Sequence, residues 1–229
     1  MRGSQKGDEP EALQAWKACQ DAACIEPRYP DLRGAEKRAT RHALFIEQTG
    51  QCVYCGRGIE LEPGSDRHHI EHFRPRGRNY RHLELAYRNL FLSCGPKRED
   101  GGTQPTCGNK KDSWFDESCH VEPSPEGDCQ QRFEFASGGG ILGDGSPEAD
   151  RMITILNLNH RELVAERMAL IEELDEELNE GLPYCDLIES FLHVSQNGSR
   201  VSFANVAVQY LRRQHAVVHR AVPPDNAVS

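Results

Sequence analysis

Hydrophobic positions recur at helical spacing in several parts of the chain. Between 35 and 48 the apolar residues fall near a helical repeat, and Gly50 follows where a left-handed residue would end the helix. Ser146 with Pro147 predicts another helix start, because a serine cap and a proline at the first helical position favour one. Further helices are predicted at 11–19, 159–179, 186–194 and 203–219.

The helix predicted at 159–179 is amphipathic and acidic. It is expected to start at Asn159 and to end before Gly181. Its apolar positions form one stripe, which consists of Val164, Met168, Ile171, Leu174 and Leu178. Residues 161–180 contain eight acidic residues against two arginines. We therefore expect one face of this helix to pack and the other to remain strongly negative.

Short alternating patterns fill the middle of the chain and predict strands rather than long helices. They occur within 52–112 and again at 132–135, just before a glycine turn at 138–140. These patterns predict an α+β fold without internal repeats. Its expected segments are an N-terminal helical segment at 1–50, a small core at 51–115, a loop and strand excursion at 116–150, and a C-terminal helical region at 151–229.

The composition is that of a folded protein. The chain has 229 residues, of which 37% are hydrophobic and 28% are charged with both signs present. No stretch approaches the roughly 18 consecutive apolar residues that a membrane span needs. The N-terminal residues lack the apolar core of a signal peptide. We therefore expect a cytoplasmic protein that does not enter the membrane.

Nine cysteines in a reducing compartment suggest metal binding. Cys52 and Cys55 are separated by two residues and followed by a glycine, which is typical of a zinc knuckle. Cys94 and Cys107 are also followed by glycines but are separated by twelve residues, so we interpret 96–106 as an inserted loop. These four cysteines predict a structural Zn²⁺ site; the alternative is a set of unconnected buried thiols.

Basic residues are concentrated in the same region. The whole chain has a formal net charge of -9, yet residues 67–111 contain ten Lys and Arg against four Asp and Glu. A polyanion would be repelled by most of the surface and attracted to this segment. The segment is therefore the predicted nucleic-acid contact.

Three short motifs in this segment carry the candidate chemistry: HHIEHFRP at 68–75, NLFLSC at 89–94 and CGNKKD at 107–112. Hydrolysis of a phosphodiester needs a base with a near-neutral pKa, a cation to offset developing charge, and donors that position the phosphate. His72 suits the first task and Glu71, with an Asn or Asp, suits the second. Arg74, Arg78 or Lys111 would position the phosphate.

Together the motifs resemble those of the HNH, or ββα-metal, endonucleases. The resemblance implies a small ββα-metal core in which Glu71 binds a catalytic Mg²⁺ or Mn²⁺, His72 is the general base and Asn89 orients the histidine. The alternatives are that His72 is a zinc ligand or a solvated strand residue and that Asn89 only begins a strand. The zinc-stapled core would be the 51–115 segment, surrounded by mainly helical segments.

The motif departs from the common family pattern in two ways. Many members place a histidine or asparagine directly after the last zinc cysteine as the distal metal ligand, whereas this chain has Gly108 there. The ligand would then be Asn109 or Asp112, and we favour Asp112 because a hard cation prefers a carboxylate. The first acid is Glu71 rather than Asp, and strand alternation places His69 on its face as a rival ligand.

The similarity extends to nearly the whole chain and favours one subfamily. Its further segments are KGDEP at 6–10, EQTGQCVYC at 47–55 and LNLNHR at 156–161. They resemble the retron-associated, PtuB-like nucleases of Septu anti-phage defence systems. The resemblance implies an effector nuclease that cuts nucleic acid, DNA more than RNA, together with a PtuA-like ABC-type ATPase. The alternative is a catalytically weak, zinc-stapled nucleic-acid-binding or adaptor subunit.

Overall fold

The protein is a mixed α+β structure, about half helical, with two small antiparallel sheets. The computed structural model describes residues 1, 3–61, 67–95, 104–125 and 129–221, with side chains up to 217. The helices are α1 (Glu11–Ala22), α2 (Gly34–Glu47), α3 (Cys107–Lys111), α4 (Pro147–Ile155), α5 (Arg161–Asn179), α6 (Tyr184–Leu192) and α7 (Ala204–Ala221). The strands are β1 (His68–His72), β2 (Leu90–Cys94), β3 (Phe133–Phe135) and β4 (Ile141–Gly143). The predicted α+β class is thus confirmed.

The ribbon of β1 and β2 lies at the centre of the functional region. The strands pair antiparallel, with His68 opposite Cys94 and His72 opposite Leu90. The side chain of Gln48 binds the free edge of β2: its Nε2 donates to the Leu92 carbonyl at 2.9 Å, and its Oε1 accepts from the Leu92 amide at 2.6 Å. The end of α2 is thereby fixed to β2, next to the first cysteine pair.

The end of α2 differs from the prediction by one residue. Thr49, with φ +46°, is the left-handed residue directly after the cap, and Gly50 follows with φ +67°. The Gly50 amide donates to the Phe45 carbonyl at 2.8 Å and the Thr49 amide to Ile46 at 3.0 Å, which closes a Schellman motif. Gly50 is still required, because a Cβ there would lie 2.6 Å from the Ser199 Cβ.

Of the two helix starts predicted in the C-terminal region, the first is confirmed and the second is wrong. Ser146 caps α4 as expected: its hydroxyl accepts from the Ala149 amide at 3.3 Å. The start predicted at Asn159 is wrong, because α5 begins at Arg161 and its cap is His160. Asn159 instead bonds both backbone groups of Ile141, at 2.8 and 2.9 Å, and so extends β4. The side-chain amide of Asn159 makes a tertiary contact, which the local sequence pattern does not predict.

The buried face of α5 matches the predicted stripe only in part: Ile171 and Leu174 are buried, and Leu178 packs against the core. Met168 is 40% exposed and Val164 is only half-buried. The fully packed side chains of α5 are Leu163, Arg167, Ile171 and Leu174. The buried face also includes Leu163 and Arg167, and Arg167 is a residue type that a hydrophobic pattern excludes. One hydrophobic core still joins α5 to the rest, since it contains Leu13, Leu92, Phe133 and Leu211 as well.

Every helix in the described residues is too short or too polar to cross a membrane. The four-segment division of the chain remains a prediction.

Candidate metal centre and adjoining cleft

Four buried cysteines converge on one point, which we call the cysteine centre. Cys52, Cys55, Cys94 and Cys107 are at most 3% exposed, and their Sγ atoms all lie within 4.8 Å of one another. Two come from the knuckle after α2, one from the end of β2 and one from the start of α3. Within the described ranges this is the only such group of three or more His, Cys, Asp or Glu ligand atoms.

The spacing of the sulfurs fits a metal ion rather than disulfides. The Sγ atoms of Cys55 and Cys94 are 3.5 Å apart, and those of Cys94 and Cys107 are 3.7 Å apart. A tetrahedron with Zn–S bonds of about 2.3 Å has edges of about 3.8 Å, whereas a disulfide bond measures about 2.05 Å. The four cysteines can therefore hold a metal such as zinc. Residues 96–103 of the expected inserted loop lie outside the described residues.

Two arginines lie near the cysteine centre, whose zinc-loaded form would carry a net charge of about -2. The Arg57 amide donates to the Cys55 Sγ at 3.4 Å. Arg167 is completely buried, and its guanidinium donates to the Gly139 and Leu158 carbonyls at 2.6 and 2.9 Å. Burial lowers the pKa of Arg167, while the thiols of Cys55 and Cys107 act in the opposite direction. Sequence reasoning missed both arginines.

Glu71 lies beside the cysteine centre on β1, and its two oxygens have different surroundings. Oε1 accepts hydrogen bonds from Lys111 Nζ at 2.8 Å and from the Tyr54 hydroxyl at 3.1 Å. Oε2 is 3.4 Å from His69 Nε2. Burial raises the pKa of Glu71, but the bonds from His69 and Lys111 outweigh it and hold the pKa below its ordinary value. The carboxyl group is therefore ionised at neutral pH.

His72, at the end of β1, is buried in a single defined orientation. Its Nε2 lies 3.0 Å from the Glu84 carbonyl, and the Tyr29 ring meets the imidazole edge-on at 4.4 Å. A carbonyl oxygen only accepts, so Nε2 carries the hydrogen and Nδ1 is the proton acceptor. Burial lowers the pKa of His72 to about 4, so the ring is neutral at pH 7 but is a weaker base than the near-neutral one expected from the sequence.

Asn89 holds the backbone around His72 without touching the imidazole. Its Oδ1 accepts from the Arg74 amide at 2.7 Å, and its Nδ2 donates to the carbonyls of Arg74 and Leu83 at 2.9 and 3.1 Å. Leu83 directly precedes Glu84, whose carbonyl fixes His72. Asn89 is therefore linked to the histidine through the loop between the strands.

A cleft of about 460 Å³ opens beside β1 and is called here the basic cleft. Four of the predicted site residues line it: Glu71, His72, Asn109 and Asp112. Other lining residues are Tyr29, Lys37, Arg41, His68, His69, Ile70, Pro75, Arg76, Gly108 and Ser113. Asn89 and the three cations predicted to bind phosphate are not among them.

The predicted phosphate contacts lie elsewhere. Arg74 is 3.5 Å from the Glu122 carboxylate and stacks on Phe115, while Arg78 is exposed on a neighbouring surface. Lys111 is only 2% exposed because it binds Glu71 and donates to the His72 carbonyl at 3.1 Å. The expectation that Lys111 presents its ammonium to a phosphate is therefore wrong for this structure.

Three other cations line the basic cleft. Lys37 and Arg41 come from α2, and Arg76 follows β1. Both Lys37 Nζ and Arg76 Cζ lie 5.0 Å from the centre of the Tyr29 ring. Sequence reasoning missed them, although the four-residue spacing of Lys37 and Arg41 on a predicted helix places both on one face.

The basic cleft also concentrates polar atoms that lack partners. In the described chain, seven buried side-chain nitrogen or oxygen atoms have no hydrogen-bond partner. Four of them belong to cleft residues: Arg41 Nε, both ring nitrogens of His68, and His69 Nδ1. Buried polar atoms are nearly always satisfied, so such a cluster marks a place for water, an ion or a ligand.

No protein-family model and no curated protein matches this chain.

Proposed function

We propose that the protein is a metal-dependent HNH-type endonuclease that hydrolyses phosphodiester bonds, in DNA rather than RNA. The observation that carries this proposal is the pairing of His72 with Glu71 in the basic cleft. The histidine is neutral and has a fixed tautomer, the glutamate is ionised, and both line a cleft edged by arginine and lysine. A base, a cation ligand and phosphate donors are the groups that this hydrolysis needs.

The order of elements supports the same proposal. Two paired strands are followed by the short helix α3, and the cysteine centre joins the ends of β2 and α3 to the knuckle. This order is the one expected of a ββα-metal core. Glu71 and His72 lie at the end of the first strand, as the resemblance implies.

In the proposed reaction, His72 Nδ1 takes a proton from the water that attacks phosphorus. The Glu84 carbonyl keeps the ring in the required tautomer, and Asn89 holds the loop that carries this carbonyl. Arg41 and Arg76 bind the phosphate from the cleft wall. A divalent cation bound at Glu71 would stabilise the negative charge that develops on the leaving 3′ oxygen.

The residues present fit such a cation. Lys111 and Tyr54 hold one oxygen of Glu71, which leaves Oε2 as the oxygen nearer to His69. The buried charges also fit, because a zinc-loaded cysteine centre and Glu71 carry more negative charge than Lys111 and Arg167 together offset.

The partnership with an ABC-type ATPase, as in anti-phage defence, rests on the family resemblance. The exposed acidic residues of α5, including Glu172, Glu173 and Glu176, are the surface we propose for it. A negative surface repels nucleic acid and so leaves the basic cleft as the substrate face. Copurification with the product of a neighbouring ATPase gene tests the partnership, and Lys substitutions at these three positions should weaken it.

The nuclease proposal is tested by plasmid cleavage with Mg²⁺ or Mn²⁺ and with EDTA. We expect cleavage only with the metal, and a loss of about 10²–10⁴-fold in His72→Ala. Asn89→Ala should lose less, because this side chain acts through the loop. His82→Ala is the matched control, since His82 is exposed and lies outside the basic cleft. Nucleic-acid binding without cleavage under all conditions would instead favour the adaptor alternative.

A further inference from the structure

We propose that His69 supplies the metal ligand that Gly108 lacks, so that a divalent cation is held between Glu71 Oε2 and His69 Nε2. This inference rests on the proposed function, because it names the ligands of the cation at the same site. It also changes the expectation from the sequence, which favoured Asp112 on α3.

Gly108 lies directly against the two proposed ligand atoms. A Cβ on Gly108 would be 2.5 Å from Glu71 Oε2 and 2.7 Å from His69 Nε2. Any side chain at 108 would therefore project directly onto these two atoms. Without one, the imidazole of His69 extends from β1 into the space that a ligand from α3 would otherwise fill.

The two atoms are spaced like ligands of one ion. Glu71 Oε2 and His69 Nε2 are 3.4 Å apart. Two atoms bound at about 2.0–2.2 Å lie about 2.8–3.1 Å apart at neighbouring octahedral positions and about 3.3–3.6 Å apart in a tetrahedron, so a closing of a few tenths of an ångström would suit an octahedral ion. Both side chains are nearly buried, and both belong to the same face of a paired strand. Little rearrangement is needed for them to bind a cation together.

The residues of α3 are placed less favourably. Asp112 is exposed at the end of the helix, where its φ is +48°. Asn109 Nδ2 packs against Gly95, 3.1 Å from where a Cβ of that glycine would be. Among the described residues, Asp112 forms no close three-ligand group with Glu71 and His69. The remaining coordination positions are thus open to water and substrate.

A nitrogen ligand also changes which metal is preferred. Imidazole favours transition-metal ions, whereas Mg²⁺ prefers carboxylate, carbonyl and water ligands. The protein should therefore bind Mn²⁺ more tightly than Mg²⁺ at this site. His69 Nδ1, which is buried without a partner among the described residues, is available to a bound water that would orient the ring.

The test is a Mn²⁺ titration of the full-length, zinc-loaded protein, followed by electron paramagnetic resonance. His69→Ala should weaken Mn²⁺ binding at least tenfold, since even outer-shell partners of metal ligands contribute 10–100-fold, and zinc content should not change. His82→Ala is the control. His69→Gln should recover part of the affinity lost in His69→Ala, because its side-chain oxygen can still bind the cation from the same position on β1. A merely structural role of His69 predicts no such recovery.

Unchanged Mn²⁺ affinity in His69→Ala, or absence of Mn²⁺ binding in the wild type, would overturn the inference. If His69→Ala does not fold, pulsed electron paramagnetic resonance is recorded on three Mn²⁺-loaded proteins: the wild type, His68→Gln and His72→Ala. The measurement shows whether a histidine nitrogen is bound to Mn²⁺ in each of them. A histidine nitrogen coupling in all three supports His69, and its absence from the wild type or from either variant contradicts it. Cleavage is measured separately: Mn²⁺ bound through His69 without cleavage would contradict only the proposed function.

Discussion

The cysteine centre and the basic cleft are linked through Glu71 and are built in opposite ways. In the cysteine centre all four sulfurs are buried, mutually spaced for one ion, and accompanied by buried or paired arginines. In the basic cleft, positively charged side chains predominate, and four buried polar atoms lack partners among the described residues. The first region is complete once an ion is present, whereas the second has polar atoms that water, an ion or a ligand can satisfy.

We interpret the cysteine centre as the part that stabilises the fold and the basic cleft as the part that binds a ligand. A closed, four-thiolate site is typical of structural zinc, because no position remains for water or substrate. Unsatisfied polar atoms in an open cleft reduce stability and are retained where a ligand satisfies them. Tyr54 joins the two regions: it lies between Cys52 and Cys55 in the chain and donates to Glu71. The cysteine centre therefore positions one wall of the cleft.

The largest expected effect comes from removing the metal of the cysteine centre. Structural zinc contributes roughly 10 kcal/mol or more of binding free energy to folding. A chelator, or Cys52→Ala, should therefore abolish cooperative unfolding of the region around β1 and β2. Zinc content by metal analysis and thermal unfolding by circular dichroism measure this.

Cys129→Ala is the matched control for that prediction. Cys129 is 1% exposed, like the cysteines of the centre, but lies outside it. This variant should lose stability as a small buried residue does while keeping its zinc. A zinc-free protein that still unfolded cooperatively at the wild-type temperature would show that the cysteine centre is not needed for folding.

Arg167→Met should give the next largest effect. The substitution leaves the Gly139 and Leu158 carbonyls without a donor and removes a buried cation near the thiolates. Each buried acceptor left without its donor costs about 1–3 kcal/mol, so a loss of a few kcal/mol is expected. Urea unfolding at constant zinc measures the loss, and Arg161→Met, on the exposed face of α5, should change little. Equal stabilities of the two variants would mean that the buried arginine is not a stabilising part of the centre.

Sequence patterns located most helices, because amphipathic periodicity is a local property. These patterns failed where the role of a residue depends on a contact with a residue distant in the sequence. Thr49, a β-branched residue, occupies a left-handed position that would be expected of glycine, and Asn159 serves β4 rather than a helix cap. The buried guanidinium of Arg167 donates to carbonyl groups from other parts of the chain, so a hydrophobic pattern could not predict its burial.

The candidate site was predictable to the extent that it lies in one local motif. Four cysteines converge as their spacing indicated, and Glu71 and His72 line one cleft. The cations were not predictable in the same way. Lys111 is buried only because α3 packs over β1, and Arg41 reaches the cleft only because α2 packs beside it. These contacts depend on tertiary structure, which the motif does not contain.

The smallest expected effect is on nucleic-acid binding. It distinguishes the cations that line the basic cleft from the arginines that the sequence predicted as phosphate contacts. Arg41→Ala with Arg76→Ala should weaken duplex DNA binding and lower the slope of log affinity against log salt by about 1.8, since each phosphate contact contributes about 0.9. Binding is measured by fluorescence anisotropy from low to moderate salt, without added Mg²⁺ or Mn²⁺ to prevent cleavage. Neither side chain contacts the cysteine centre in the described structure, so zinc content should be unchanged.

The matched control removes the same charge from the neighbouring surface. Arg74→Ala with Arg78→Ala lowers the net charge equally, so a general electrostatic effect would reduce the salt slope in both double variants alike. A path through the basic cleft predicts a larger reduction for Arg41 and Arg76, because only these two line it. The reverse order would place the nucleic acid across Arg74 and Arg78, as their sequence position first indicated. The unpartnered atoms of the cleft would then need a ligand other than the phosphate backbone.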